Sequence, residues 1–275
     1  MFWWRSKRVL PGFAPALTVT LLWLTGMMLL PLAGCVLKAA TLTPSKFLAA
    51  AWTERARAAY LVTFGTSAVA GAVSVVAGLL LSWVLVRYRF PGRGLMDSLI
   101  DLPFALPTAV AGLVFSSLLV KNGWYGRFLV PIGISAANSK LGIVIVLVFL
   151  GLPFVVRTVQ PVLESLEGDI EEAAALLGAS RWQTFWRVLL PSLRSSLTTG
   201  FALSFARGLG EYGSLVFISD MRPFRTEIAP MLIIIRLEEF AYAEATAIAM
   251  VLLAGSFTAL GVINWLEQRR HRDAF

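Results

Sequence analysis

The sequence predicts an all-α integral membrane protein with about six transmembrane helices, and three observations lead to this fold class. Hydrophobic residues make up 57% of the 275 residues and charged residues only 15%, whereas soluble domains are about 45–50% apolar and about 25% charged. The mean hydropathy is +0.76. The apolar residues also fall into blocks of roughly 20, the length that a helix needs to cross about 30 Å of hydrocarbon. A soluble two-domain enzyme is therefore excluded.

Six apolar blocks are predicted to cross the bilayer as helices, which places both termini on one side. Basic clusters near the two termini and after the second block assign that side to the cytoplasm, because positive charges accumulate on the inner side of membrane segments. With this topology thirteen lysine and arginine residues lie inside and ten lie outside. The predicted spans are residues 14–37, 60–86, 98–120, 141–159, 197–219 and 245–266.

The end of the first block offers an alternative to a retained span. Leu32-Ala33-Gly34-Cys35 is similar to the cleavage box of a lipoprotein. The apolar run before it is longer than the ~7–15 residues of a signal-peptide core, and more spans follow. We therefore expect residues 14–37 to be kept as the first span.

Several functional classes lack the residues that they need. The single histidine is His271, in a basic tail, and the single cysteine is Cys35, which excludes His-based triads, thiolate metal clusters and an internal disulfide. No phosphate-binding loop of the form G-x-x-x-x-G-K-[ST] occurs, so this chain is not an ATPase. Basic residues that flank membrane spans explain the net charge of +8 better than nucleic-acid binding does. An ion-coupled secondary carrier is a further alternative, although its usual internal repeats and intramembrane carboxylates are missing.

Prolines and glycines indicate how the spans are built. Pro103 and Pro107 each remove a backbone donor within the third block, so they are expected to kink or break its helix. The result is either a bent, packed helix or one that lines a water-filled cavity. Close helix approach in a packed bundle is expected at Gly71, Gly78, Gly112, Gly200, Gly208 and Gly210.

The segment between the fourth and fifth spans predicts two short helices separated by Gly178. Asp169 is expected to cap the first helix, and Gly178 to end it in the left-handed conformation. Ser180 and Gln183 form the S-x-x-Q pattern of a capping box for the second helix, and Pro191 is expected to break it. This unit either lies on the lipid surface or docks in a partner's groove. Its apolar face would carry, at helical spacing, Trp182, Phe185, Trp186 and Leu189.

The same segment resembles the EAA signature of the permeases of binding-protein-dependent ABC importers. The match comprises Glu172-Ala173-Ala174, then Gly178, then Val188-x-Leu190-Pro191, with Val188 in place of the usual isoleucine. In that family this loop is the coupling helix, which sits in a cleft of a cytoplasmic ATPase. The resemblance implies the type I permease fold with a cytoplasmic coupling loop. It also implies a set of ATPase-coupling residues, namely Glu172, Ala173, Ala174, Gly178, Leu190 and Pro191.

Four further stretches are similar to the T-type permeases of bacterial sulfate/thiosulfate importers: RYRFPGR at 87–93, DLPFALPTAVAG at 101–112, PFVVRTVQPVLE at 153–164 and GEYGS at 210–214. The resemblance implies a non-enzymatic transport subunit of the bacterial inner membrane. Its implied partners are a second, W-type permease, two ATPase subunits that bind ATP and magnesium, and a periplasmic sulfate- or thiosulfate-binding protein. No cofactor is implied for this chain. Molybdate and tungstate permeases share the EAA loop and similar motifs, and they are the near alternative.

The resemblance also implies one transmembrane permease domain over residues 1–275. Residues 1–59 would hold the first span and an external loop, and residues 60–266 the permease core. Within that core, residues 160–195 would form the cytoplasmic coupling loop. Residues 267–275 would be a cytoplasmic tail.

Two ionisable residues lie midway along the fifth predicted span. Arg207 and Glu211 are four residues apart and so share one helical face. Charges inside a bilayer are rare and face a partner or a cavity. The pair either neutralises itself and fixes the packing, or Arg207 supplies positive potential along an anion path while Glu211 restrains it. On the outer side, an acidic patch of the binding protein could form ion pairs with three arginines, namely Arg222, Arg225 and Arg236.

Overall fold

The computed structural model describes residues 13–166 and 168–272, with the backbone alone at 168, 169 and 270–272. Over these residues the chain forms helices and no strand, so the predicted all-α class is confirmed. The N-terminal basic cluster at residues 5–8 lies outside the described residues. In chain order the α-helices are α1 (Phe13–Ala39, with a π-turn at Thr25–Leu29), α2 (Pro44–Ala51), α3 (Glu54–Arg87), α4 (Arg93–Ile100), α5 (Leu102–Ala105), α6 (Thr108–Leu119), α7 (Gly126–Leu129), α8 (Lys140–Ser165), α9 (Gly168–Leu176), α10 (Arg181–Thr184), α11 (Leu190–Leu209), α12 (Leu215–Ile218), α13 (Ala229–Glu238) and α14 (Tyr242–Arg272).

Four of these helices are long and apolar enough to cross a membrane. They are α1, α3, α8 and α14, and each contains one of the predicted spans. Helix α3 is the longest at 34 residues and begins six residues before the predicted boundary at residue 60. Its first turn carries Glu54 and is capped by the Thr53 hydroxyl, which accepts a hydrogen bond from Ala56 N. The other two predicted spans are not single helices.

The third predicted span, residues 98–120, is divided among α4, α5 and α6. Pro103 lies in the first turn of α5, where its missing N–H removes no helical hydrogen bond. Leu106 precedes Pro107 and has an extended ψ of 133°, because a following proline disfavours the helical conformation. The break that these two prolines predicted is confirmed, and α6 is a short apolar helix of 12 residues.

The fifth predicted span, residues 197–219, is interrupted as well. Helix α11 ends at Leu209, a turn follows, and α12 resumes at Leu215. The prediction of one continuous helix through Arg207 and Glu211 is therefore wrong. Ser214 N would bond the carbonyl four residues earlier in a continued helix, but it donates to the Glu211 side chain instead. Helix α13 follows in a stretch for which no helix was predicted.

Helices α3, α8 and α11 pack against one another at the centre of the bundle. A Cβ on Gly78 would lie 2.6 Å from the Val155 side chain, and a Cβ on Gly208 would lie 2.9 Å from Ser67 Oγ. These glycines let the helix backbones approach closely. The close approach predicted for Gly71, Gly112 and Gly200 is confirmed too. At Gly210 the prediction is wrong, because no neighbouring atom lies within 4 Å of an added Cβ.

Helices α1 and α14 lie at the edge of the bundle. Within the most apolar 18-residue stretch of α1 no residue is buried, and within that of α14 only 11% of the residues are buried. The two helices contact each other, and α1 presents Leu22 and Trp23 outward. Exposed apolar side chains over this length suit a surface that faces hydrocarbon.

Candidate functional site

The first helix of the predicted coupling loop ends as its sequence predicted. Gly178 has a φ of +81°, and two backbone hydrogen bonds close the helix: Ala179 N to Ala174 O at 3.0 Å and Gly178 N to Ala175 O at 2.9 Å. This is the Schellman arrangement, in which a left-handed residue satisfies the last carbonyls. Helix α9 begins at Gly168, so Asp169 lies within its first turn, and the prediction that Asp169 precedes the helix is wrong.

The second helix of the loop also begins as predicted. Ser180 Oγ accepts from Gln183 N at 3.3 Å, and the Gln183 side chain accepts from Ser180 N at 2.8 Å, which completes a capping box. The predicted break at Pro191 does not occur. Helix α10 continues through a π-turn at Phe185–Leu189 into α11, with Pro191 in the first turn of α11. The wider π-turn accommodates the proline, so the loop and the fifth span form one helical rod.

The aromatic face of this rod forms a cluster. The rings of Trp182 and Trp186 are 5.4 Å apart between centroids, and those of Phe185 and Trp186 are 5.5 Å apart. The Phe185 ring also packs edge-on against Trp83 of α3 at 5.7 Å. Leu189 is buried, whereas Trp182 and Trp186 are exposed. The shared face that the spacing predicted is confirmed for the three aromatic residues, whose rings contact one another.

The six residues of the EAA resemblance divide into two groups. Glu172, Ala173 and Gly178 are exposed at the tip of the loop. Ala174 is buried, and Leu190 and Pro191 are half-buried where the rod enters the bundle. The exposed group could contact a partner directly, whereas the second group holds the loop against the bundle.

Two exposed leucines at the same tip were missed by the sequence reasoning. Leu176 is 90% exposed and Leu177 is 88% exposed, immediately before Gly178. The sequence signal for them was their position immediately before the turn-forming Gly178. Side chains at the end of a short helix are not covered by further turns of that helix. Together with Ala173 they form an apolar surface at the end of the loop.

The loop is attached to the C-terminal end of α3. Arg87 Nη2 lies 2.6 Å from Glu171 Oε1, and both side chains are partly buried. The Arg87 guanidinium also lies 5.8 Å from the centroid of the Trp83 ring, which in turn contacts Phe185. Helix α3 therefore contacts both helices of the loop.

Arg207 and Glu211 form an ion pair, as their spacing predicted. Glu211 is 3% exposed and Arg207 about one third exposed. Glu211 Oε1 also accepts from Ser214 N and Ser214 Oγ, both at 2.9 Å. The carboxylate therefore orders the turn between α11 and α12 while it holds the guanidinium at the end of α11.

The two interrupted spans meet at their interruptions. A Cβ on Gly112 of α6 would lie 2.2 Å from Ser214 O, and a Cβ on Gly213 would lie 2.5 Å from Thr108 Oγ1. The DLPFALPT and GEYG motifs, which are about 100 residues apart in the chain, therefore form one junction. The Arg207–Glu211 pair lies directly beside it.

A charge cluster around Arg157 was not predicted. Arg157 donates two parallel hydrogen bonds to Asp101, at 2.9 and 2.6 Å, and one to Asp97 Oδ1 at 2.8 Å. Gln160 Oε1 accepts a further bond at 2.9 Å. The three charged side chains are 33–44% exposed. Charged groups avoid hydrocarbon, so this face of the bundle is suited to a border with protein or water.

Residues 74–272 match the family described as "Binding-protein-dependent transport system inner membrane component". The chain is 48% identical over 269 residues to "Sulfate transport system permease protein CysT" of Escherichia coli (strain K12), which covers 98% of this chain and 97% of the relative. It is 49% identical to the protein of the same description from Synechocystis sp., over 93% of this chain and 90% of the relative.

Solved structures show the same fold at low sequence identity. A bacterial ABC transporter involved in the import of the acidic polysaccharide alginate superposes with a TM-score of 0.77 at 16% identity, over 93% of this chain and 94% of that chain. A second alginate transporter structure, in complex with an alginate-bound periplasmic protein, gives a TM-score of 0.76 at 18% identity, over 93% of each chain.

Proposed function

The chain belongs to the family of binding-protein-dependent transport system inner membrane components, and on this premise we propose that it is the permease subunit of an ATP-driven importer that moves sulfate or thiosulfate across the bacterial inner membrane. The observation that carries the proposal is its near-50% identity, over almost the whole length, to permeases named for sulfate transport. Both termini lie in the cytoplasm in this proposal, so α3 runs from the outer side at Glu54 to the inner side at Arg87.

The permease works within a larger assembly. Two ATPase subunits bind ATP and magnesium, a second permease of the W type completes the pathway, and a periplasmic sulfate- or thiosulfate-binding protein delivers the anion. The partly exposed charges of Arg157, Asp97 and Asp101 suit a border with this second permease or with water, because charged groups avoid hydrocarbon.

The coupling loop transmits ATPase closure to the spans. The exposed tip, with Glu172, Ala173 and Gly178, is suited to a cleft in the ATPase, and the leucines before Gly178 give it an apolar surface to bury there. The second loop helix also runs into α11, through the π-turn at Phe185–Leu189, which is a position where helices bend. Arg207 lies in the last turn of that same helix.

Arg207 is the proposed contact for the anion on its path. Glu211 holds the guanidinium in place, and Ser214 in turn holds Glu211. The partly exposed guanidinium then attracts a dianion without binding it tightly, because the neighbouring carboxylate offsets part of its charge. Weak binding suits a pathway, since a site that binds too tightly does not release.

Uptake in a strain that lacks this chain tests the proposal. We expect the chain, expressed with its ATPase, second permease and binding protein, to restore the uptake of labelled sulfate, and ATP depletion to abolish that uptake. Labelled molybdate serves as the matched substrate and should not be taken up. Restoration of molybdate uptake instead would reassign the substrate, and sulfate uptake that persists without ATP would contradict the importer class.

A further inference from the structure

Helix α3 is joined at its outer end to the loop that follows α12. Arg55, in the first turn of α3, donates to both carboxylate oxygens of Glu227, with Nε–Oε2 at 2.8 Å and Nη2–Oε1 at 2.6 Å. Glu227 is 1% exposed. About two turns further along α3, Thr63 Oγ1 accepts from Ala229 N at 2.8 Å. Two-point contact between a guanidinium and a carboxylate fixes orientation as well as distance.

The loop that carries Glu227 is itself rigid. Thr226 Oγ1 donates to Asp220 at 2.5 Å and accepts from Arg222 N at 3.1 Å. Thr226 N and Glu227 N both donate to Arg222 O, at 3.0 and 3.1 Å. Met221 and Phe224 have left-handed φ values of 50° and 64°, which non-glycine residues hold only when the surrounding contacts impose them. A displacement of Glu227 therefore carries the whole loop with it.

The inner end of α3 is joined to the coupling loop by the Arg87–Glu171 ion pair and the contact between Trp83 and Phe185. Between the two ends α3 is one α-helix of 34 residues without a proline or a π-turn. At 1.5 Å per residue it is about 50 Å long. By contrast, α1 contains a π-turn and α8 contains Pro153 and Pro161. Sharp bends in helices arise at such positions, so α3 is suited to move as one piece.

We propose that α3 is a rigid connector between the ATPase side and the outer side of the transporter, and that Arg87 and the Arg55–Glu227 pair are its two end joints. This inference rests on the proposed function, because it assigns the coupling loop to the ATPase and the loop at 219–228 to the side of the binding protein. Closure of the ATPase displaces the coupling loop, α3 follows through Arg87, and the outer loop follows through Glu227. By linkage, a binding protein docked outside influences ATP hydrolysis inside through the same contacts.

The test measures the movement of the outer loop in the complete transporter. In a Cys35→Ser background, spin labels are placed at Arg225→Cys, in the outer loop, and at Ile132→Cys, an exposed outer residue that precedes α8. The distance between the labels is measured without nucleotide and with ATP trapped by vanadate, in lipid nanodiscs. Arg87→Gln removes the ion pair at the inner end of α3, and Glu227→Gln removes the ion pair at its outer end. Glu171 is left unchanged because it neighbours the proposed ATPase contact at Glu172.

We expect trapping to change the label distance in the parent protein, and neither joint variant to show this change. ATPase stimulation by the loaded binding protein should fall about tenfold in both variants, within the range of coupling between distant sites, while the basal rate stays unchanged. The charge exchange Arg55→Glu with Glu227→Arg should restore part of both signals. Glu267→Gln is the matched control. Glu267 accepts a hydrogen bond from Ser195, which joins α14 to α11 and does not involve α3.

The full distance change in either joint variant, or no change in the parent, would overturn the connector role. Failure of the ATPase to co-purify with the parent chain would contradict the proposed function instead. The two failures are therefore distinguishable.

Discussion

Glu211 and Ser214 are joined by two hydrogen bonds to one carboxylate oxygen, from the backbone N–H and from the hydroxyl of Ser214, each 2.9 Å long. The other oxygen of Glu211 pairs with Arg207. The buried Glu211 side chain therefore orders the turn between α11 and α12 and orients the Arg207 guanidinium. These contacts give both carboxylate oxygens of the buried Glu211 a partner, which offsets the cost of burying its charge.

The first prediction concerns the charges of this pair. The double variant Arg207→Gln with Glu211→Gln removes both charges and keeps an oxygen for Ser214. We expect assembly with the ATPase at the parent level and sulfate uptake about tenfold lower, equivalent to about 1.4 kcal/mol. Arg207→Lys, which keeps the positive charge, is the control and should retain more uptake. Unchanged uptake with a less stable complex would show that the pair serves packing alone.

The second prediction concerns the junction between the interrupted spans. Gly112→Ala places a methyl group 2.2 Å from the Ser214 carbonyl oxygen, and backbone on both sides cannot move aside. We expect a loss of about 1–3 kcal/mol, the usual cost of overpacking, seen as a lower Tm in detergent. Gly210→Ala, which meets no atom within 4 Å, should stay within about 0.5 kcal/mol of the parent. Equal Tm values for Gly112→Ala and Gly210→Ala would contradict the close packing of the two interrupted spans.

The third prediction concerns the turn at the tip of the coupling loop. Gly178→Ala has free space around the new methyl group but must adopt a φ of +81°. We expect a local cost of about 1–3 kcal/mol and a matching loss of co-purified ATPase, with the Tm of the spans unchanged. Gly94→Ala, at a glycine with open space and ordinary φ, is the control. Full ATPase recovery with Gly178→Ala would exclude a conformational role for this glycine.

The fourth prediction concerns the exposed leucines beside that turn. Leu177→Ser removes an apolar contact that the ATPase cleft is proposed to bury. A central interface residue contributes about 2 kcal/mol or more, so we expect about a 30-fold weaker affinity for the purified ATPase. Leu95→Ser, at an exposed leucine of α4, is the comparison and should bind normally. Equal affinities would place the ATPase contact elsewhere.

The fifth prediction concerns the Arg157 cluster. Arg157→Ala leaves Asp97 and Asp101 without their shared partner. Because these groups are partly exposed, we expect a loss of about 1–2 kcal/mol, below the cost for fully buried pairs, measured by thermal unfolding. Adding Asp97→Asn and Asp101→Asn should recover stability, since no unpaired charge is left. Arg89→Ala, at an exposed arginine, should have no measurable effect.

Local features were predictable because their partners are close in sequence. The Ser180–Gln183 capping box, the left-handed Gly178 and the Arg207–Glu211 pair each involve residues within five positions of one another. The break at Pro107 is also local, since it follows from a missing donor and a clash with the preceding residue. By contrast, the continuation of the helix through Pro191 was not predictable, because a π-turn depends on how the aromatic side chains pack against α3.

Composition, the length of the apolar blocks and the spacing of capping residues determined that this chain is a helical membrane protein with a two-helix loop around Gly178. Tertiary structure alone decided which residues from different helices meet. Arg55 and Glu227 are 172 positions apart, Arg157 and Asp101 are 56 apart, and Gly112 meets Ser214 across two interrupted spans. Such contacts leave no periodic signal in a single sequence, because they arise only when the packing of whole helices brings distant segments within hydrogen-bonding distance.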